Sequence, residues 1–274
     1  MLSRQNIQNG IIGMEFIDTH SHIYLESFNE DRDRVIAAAV DKGIRNILLP
    51  NIDATTLSLM NKLARDYPGT CFPMMGLHPT SVNENYTEEI EVVRKELMSG
   101  NYIAIGEIGI DLYWDKTRLM EQSRVFEQEL DLALTLHMPV VIHARESFDV
   151  IFEILQKYEG TGLRGVFHAF SGSPEQALHA VEKGFFLGIG GMVTYRNSGL
   201  DKIIQMVDLH HLVLETDSPF LPPVPHRGKR NEPAFLTYIA ETVARLKSVD
   251  IYEIARITTE NARSLFGLNH KDTR

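Results

Sequence analysis

The sequence predicts an α/β chain folded as a single-domain (β/α)8 TIM barrel, and three observations point there. Short apolar or β-branched runs alternate about eight times with longer segments of helical period. Two helical segments stop at Lys42-Gly43 and Lys183-Gly184 and pass at once into a strand, the expected stop with glycine just past the helix end. Residues 46–49 and 139–142 are apolar without alternation, as in parallel strands buried on both faces. A length of 274 residues suits one barrel. An open doubly wound sheet is the rival, but it calls for a glycine-rich turn after an early strand, and none is present.

Taken in order, residues 1–13 are polar apart from Leu2, Ile7 and Ile11-Ile12, and they lack the basic start and apolar stretch of a signal peptide. They read as a dispensable extension. The barrel then runs over residues 14–268, with expected strands at 16–20, 45–50, 71–77, 102–107, 139–143, 165–168, 185–189 and 211–216. Amphipathic segments fill the crossovers, for example through Val35, Ile36, Ala39 and Val40, or through Phe126, Leu130, Ala133 and Leu134. Residues 269–274 form a tail, and no repeat, low-complexity tract or linker divides the chain.

Composition narrows the function classes. No run of about 18 apolar residues is available to span a bilayer. Cys71 is the single cysteine, so no intramolecular disulfide forms, and a reducing cytoplasm is the expected setting. A formal net charge of −10 argues against a broad basic surface for duplex DNA or anionic membrane, and no obligate protein partner is evident. A phosphate-bearing substrate then needs local cations or bound metal.

In a parallel barrel the C-terminal strand ends converge on one face. His20 and His22 leave strand 1 two residues apart, so both imidazoles point to one side. Glu107 ends strand 4, His143 strand 5 and His168 strand 6, and Asp217 follows strand 8. Taken singly, each has a structural alternative: Asp217 caps a turn before Pro219 and its neighbours, Glu107 is a solvated loop carboxylate, and a strand-end His is a hydrogen-bonded core residue. Their coincidence at five strand ends argues for metal. Four histidines and two carboxylates are too many for one tetrahedral ion and about right for two ions sharing a bridging carboxylate.

The motifs carrying these residues resemble the TatD family of metal-dependent deoxyribonucleases, a branch of the amidohydrolase-like barrels. They are Phe16-Ile17-Asp18-Thr19-His20-Ser21-His22, Gly76-Leu77-His78-Pro79, Gly106-Glu107-Ile108-Gly109-Ile110-Asp111, and Pro139-Val140-Val141-Ile142-His143-Ala144-Arg145. They continue with His168-Ala169-Phe170-Ser171-Gly172, Glu215-Thr216-Asp217-Ser218-Pro219-Phe220-Leu221, and Arg227-Gly228-Lys229-Arg230-Asn231-Glu232-Pro233. The resemblance implies His20, His22 and Asp217 on one ion, His143 and His168 on the other, and Glu107 bridging. It also implies hydrolysis of DNA phosphodiesters as a 3′ to 5′ exonuclease on single strands or 3′ ends, supported by magnesium or another divalent ion. Imidazole plus carboxylate without thiolate suits zinc or manganese as well as magnesium.

Within that reading Asp217 and Glu107 are the expected catalytic residues, Asp217 as ligand and general base for the attacking water. Arg145 and Arg227 are candidate phosphate clamps, His78 a candidate phosphate contact, and Tyr113 and Trp114 candidate stacking platforms for an unpaired base. Solvated loop cations, a turn before Pro79 and a covered barrel rim are the structural alternatives. His137, His179, His210, His211 and His270 read as structural or exposed. The alternative function is a same-fold hydrolase of an ester or amide, such as a D-aminoacyl-tRNA deacylase or a small-molecule amidohydrolase. Many such barrels carry a carboxylated lysine where this chain has Glu107, which favours the nuclease. A catalytically dead scaffold is disfavoured by the intact six-residue set.

Overall fold

A computed structural model describes residues 13–268. The expected extension over residues 1–12, the 269–274 tail and His270 lie outside the described residues. The strands are β1 (Phe16–Asp18), β2 (Ile44–Pro50), β3 (Cys71–Met74), β4 (Ile105–Asp111), β5 (Val140–Arg145), β6 (Gly165–Phe167), β7 (Phe186–Ile189) and β8 (Leu212–Leu214). All ladder pairs are parallel and follow chain order, β1-β2-β3 and β4 through β8. The two arcs meet at both seams. Met75 bridges Ile105 between β3 and β4, and Ser21 bridges Ser218 beyond β1 and β8. Thr19 N donates to Leu214 O at 3.1 Å and Asp217 N to His20 O at 2.9 Å across the second seam. The barrel expected from the sequence is the fold.

Helices α1 (Arg32–Asp41), α2 (Ala54–Asp66), α3 (Tyr86–Ser99), α4 (Leu119–Leu136), α5 (Phe148–Leu155), α6 (Pro174–Glu182), α7 (Leu200–Met206), α8 (Leu236–Lys247) and α9 (Ile251–Phe266) surround the strands. Their ends carry local signals. Asp53 accepts from Thr55 N and opens α2, and Ser173 with Gln176 forms a reciprocal capping box on α6. Helices α1 and α6 stop where Gly43 and Gly184 take φ of 87° and 83°, the left-handed step that glycine makes without a Cβ clash.

Alternate strand residues divide the core between two layers. Phe16, Ile47, Leu49, Val140, Ile142, Phe167, Leu212 and Leu214 pack outwards under the helices. Ile17, Leu48, Met74, Val141, Val166 and Val213 pack with Leu265 and Phe266 of α9 in a second cluster. Polar groups take over towards the C-terminal strand ends.

The strand boundaries differ from the sequence reading in a consistent way. β1, β3, β6 and β8 stop at Asp18, Met74, Phe167 and Leu214, short of the expected ends. Beyond these points the backbone donors go to seams, turns and side chains, as when His22 N donates to Ser218 O at 2.7 Å. β4 is displaced the other way, covering Ile105–Asp111 in place of 102–107. Glu107 is therefore inside a strand, where alternation turns it into the barrel, and not at its end. Among the described residues, no helix is long and apolar enough to cross a membrane.

Candidate metal centre

The structure gathers the other five residues of the expected ligand set around the carboxylate of the sixth, Glu107. Glu107, projecting inwards from β4 and only 2% exposed, sits at the middle. Its Oε2 lies 3.2 Å from His20 Nε2 and 3.5 Å from His22 Nε2. Its Oε1 lies 3.0 Å from His168 Nε2, 2.8 Å from His143 Nδ1 and 3.2 Å from His78 Nε2. Asp217 Oδ1 completes the first group, at 3.7 Å from His20 Nε2 and 3.6 Å from His22 Nε2. Donor atoms of His20, His22 and Asp217 lie within 4.8 Å of one another, as do those of His78, Glu107 and His143.

His143 and His168 each lie between two carboxylates: His143 Nδ1 is 2.8 Å from Glu107 Oε1 and Nε2 2.9 Å from Asp111 Oδ2, while His168 Nε2 is 3.0 Å from Glu107 Oε1 and Nδ1 3.2 Å from Glu215 Oε1. A neighbouring hydrogen bond fixes the tautomer of His22: Tyr24 Oη donates to Pro50 O at 2.6 Å, so His22 Nδ1–H donates to Tyr24 Oη at 2.8 Å and Nε2 keeps its lone pair. His78 is the opposite case. Its Nδ1 accepts from Thr80 N at 3.1 Å, so its own proton is on Nε2 and donates to Glu107 Oε1. Of the two expectations for His78, a phosphate contact or a turn before Pro79, the turn is present, with His78 capping Pro79–Ser81; its Nε2 also faces Glu107 Oε1, and the residue lines the cavity above the cluster.

This arrangement fits divalent metal. Five imidazole nitrogens lie within 3.5 Å of the two Glu107 oxygens, a crowding of nitrogen and oxygen donors without thiolate that suits a divalent cation. His20 Nδ1 is buried with no hydrogen-bond partner, so that ring is held by its Nε2 side. The titration behaviour reports the same crowding. Burial, helped by His168, holds the His20 imidazole well below its ordinary range. Burial opposes the charge on Glu107, but His168, His78 and His20 keep it well below the usual carboxylate range. Burial also opposes charge on His168, yet Glu107 and Glu215 on its two sides hold it well above the usual value. Burial pushes Asp217 up to about 6 against His168 and His22.

Four supporting residues escaped the sequence reading: Asp18, Tyr24, Asp111 and Glu215. Asp18 Oδ1 accepts from Thr216 N at 2.8 Å and Oδ2 from Thr216 Oγ1 at 2.5 Å, tying β1 to the segment that carries Asp217. Burial pushes that carboxyl up to about 8. Glu215 reaches His168 across β7, where a Cβ on Gly188 would stand 2.3 Å from Glu215 Oε2, so the position has room only for glycine. A period-2 spacing marks three of the four: Asp18 precedes His20 by two, Asp111 follows Glu107 by four, and Glu215 precedes Asp217 by two.

The mouth above this cluster is a cavity of about 600 Å³ lined by His22, Glu107, Asp217, Trp114, Arg145 and Phe220 among others. Asp111 links the two levels, since its Oδ1 accepts from Tyr113 N at 2.9 Å and Trp114 N at 3.1 Å. Both rings are half exposed or more, and the Arg145 guanidinium lies 3.9 Å from the Tyr113 ring centroid. Arg227 lies 4.3 Å over Tyr195 on the loop after β7. The remaining described histidines stand apart: His137 closes α4, His179 packs 4.5 Å from Phe152, His210 and His211 form a turn before β8, and His226 stacks 3.9 Å from Phe235.

Comparison with known proteins agrees with this geometry. The family model "TatD related DNase" matches residues 17–267. The chain is 34% identical over 253 residues to "Uncharacterized metal-dependent hydrolase YabD" of Bacillus subtilis, covering 92% of this chain and 99% of that one. It is 33% identical over 247 residues to "3′-5′ ssDNA/RNA exonuclease TatD" of Erwinia tasmaniensis, covering 88% and 95%. The crystal structure of the TatD homologue YjjV from Escherichia coli superposes with a TM-score of 0.87 at 30% identity, covering 93% of this chain and 98% of that one. A match along nearly the whole barrel, on a chain whose strand ends gather histidines around one buried carboxylate, makes this protein a member of the TatD family of metal-dependent hydrolases.

Proposed function

We propose that this chain is a 3′ to 5′ exonuclease on single-stranded DNA that works through two divalent ions, magnesium, manganese or zinc. The observation carrying this reading is the division of Glu107, with Oε2 towards His20 and His22 and Oε1 towards His143 and His168. His20, His22 and Asp217 would hold one ion and His143 and His168 the other, with Glu107 available to both. Ions so held supply Lewis acidity towards a phosphoryl oxygen and acidify water. The relative named as a single-stranded DNA and RNA exonuclease supports nucleic acid as the substrate class.

The chain's own residues supply the rest. Asp217, whose Oδ1 lies 3.7 Å from His20 Nε2 and 3.6 Å from His22 Nε2 at the mouth of the cluster, is the chain's base for the attacking water. His78 steadies Glu107 by donating from Nε2. Arg145 and Arg227, each seated on an aromatic ring with its N–H edge free, clamp phosphate oxygens. Tyr113 and Trp114 offer a stacking surface to an unpaired base at the rim.

The test is hydrolysis of 3′-labelled and 5′-labelled single-stranded DNA under each metal, with His20→Ala/His22→Ala as control. Stepwise shortening from the 3′ end, lost in the variant, is the expected result. No cleavage under any metal would reject the nuclease in favour of an ester or amide hydrolase, with aminoacylated transfer RNA the next substrate.

A further inference from the structure

Two further grooves border the metal-centre cavity, and their walls differ in charge. One, of about 490 Å³, is lined by Arg145 but also by Glu146 and Asp149, which repel a phosphate chain. The other, of about 500 Å³, lies between the loops after β7 and β8 and is lined by Thr194, Tyr195, Arg196, Asn197, Val224 and Arg227, with no carboxylate in its wall. It shares Ser171 and Met192 with the metal-centre cavity. A ligand leaving the metal centre on this side enters a cationic channel.

The groove is built and held. Tyr195 Oη donates to Pro222 O at 2.8 Å, and Val224 N donates to Thr194 Oγ1 at 2.9 Å, so the two loops form one floor. A Cβ on Gly191 would stand 2.0 Å from Leu221 O, which shows how closely the backbones approach. With its hydroxyl pinned, the Tyr195 ring fixes the Arg227 guanidinium above it at 4.3 Å. Arg196 and Arg227 form no ion pair among the described residues, and both are exposed. In a chain of net charge −10, two unneutralised arginines beside one cleft are a local exception.

We propose that this groove is a second phosphate subsite, which takes the internucleotide phosphate next to the one at the metal centre. Arg196 and Arg227 are its donors, and Tyr195 is a positioning residue that holds Arg227 in place. The proposal rests on the nucleic-acid reading above and adds a direction to it: the strand leaves the mouth over the loops after β7 and β8, not past Glu146 and Asp149.

A dinucleotide has no phosphate to place there and a trinucleotide has one. The kcat/KM of the metal-loaded enzyme is therefore expected to rise about tenfold from dinucleotide to trinucleotide, the scale of one charge-assisted contact. Arg196→Ala/Arg227→Ala removes most of that rise. Arg45→Ala/Arg164→Ala, an equal charge change at the N-terminal end of the barrel, keeps it. Fluorescence polarisation of labelled pentathymidylate with metal-stripped protein gives a readout without chemistry: the groove variant binds at least about tenfold more weakly than the control. If binding is lost in the groove variant while wild-type protein hydrolyses no oligonucleotide, the exonuclease reading falls and the subsite stands. Equal ratios and equal binding in both double variants would overturn the subsite while leaving the nuclease intact.

Discussion

At Glu107 the two oxygens of one side chain face different sets of imidazoles, and the neighbours of those rings settle what each oxygen meets. His143 and His168 each lie between Glu107 and a second carboxylate, Asp111 or Glu215, whereas His78 has its outer nitrogen occupied by Thr80 N and so turns its proton to Glu107. What sets His78 apart is invisible in the sequence, and a single backbone N–H makes it. Asp217 is the second residue with a double role. If it both holds an ion and takes a proton, Asp217→Asn lowers kcat by about 10²- to 10⁴-fold with a smaller loss of bound metal. Rate measured against metal content checks this, and a loss strictly proportional to metal would leave Asp217 a ligand only.

Away from the site, Glu129 on α4 is fully buried, accepting from Leu77 N at 2.8 Å with its Oε2 unpartnered. Burial lifts its carboxyl well above the ordinary 4.5. An acid raised in the folded state costs nothing below the unfolded value, where both states are protonated, and costs progressively more as pH rises past 4.5 because only the unfolded chain ionises. Glu129→Gln keeps the acceptor and removes that cost. Melting temperatures of the two proteins are expected to coincide near pH 4.5 and to separate in favour of the variant at pH 8; equal curves at both would show Glu129 ionised in the fold.

Between strands, the site depends on what crosses the barrel. Glu215 reaches His168 only because β7 presents Gly188 between them. Gly188→Ala is expected to push the carboxylate off His168 and weaken metal binding by about 10- to 100-fold, the usual cost of losing a partner behind a ligand. Isothermal titration would show it, and unchanged affinity would remove Glu215 from the support of the site. Glu107 and the five other residues of the ligand set were legible in the sequence because strand order alone brings parallel strand ends to one face. The residues behind them were not, since pairing Glu215 with His168 requires knowing that β7 is thin at Gly188. The position of β4 was misjudged for a related reason. Residues 102–104 form an apolar run like a strand, yet the ladder with β5 starts at Ile105 and carries Glu107 and Asp111, two acids made tolerable by histidine partners.

On the scale of the molecule, α9 packs Leu265 and Phe266 into the cluster formed by Ile17, Leu48, Val141, Val166 and Val213. Leu265→Ala opens a cavity there and is expected to cost about 2–5 kcal/mol in denaturant titration; a cost below ~1 kcal/mol would mean that this layer is loosely packed. The net charge of −10 bounds substrate binding at the same scale. With Arg145, Arg196 and Arg227 as the cations around the mouth, log-affinity for a single strand should fall against log-salt with a slope of about −2, the value for three phosphates. A far steeper slope in polarisation titrations would require more cations on the strand than these three.

The division of Glu107 between two ions is tested most directly by counting Mn²⁺ bound per chain, at equilibrium, in wild-type protein and in Glu107→Ala. Two ions in the wild type, and one or none in the variant with loss of strand shortening, is the result expected of a shared carboxylate. Two ions retained in the variant, or a single ion in a fully active wild type, would contradict it.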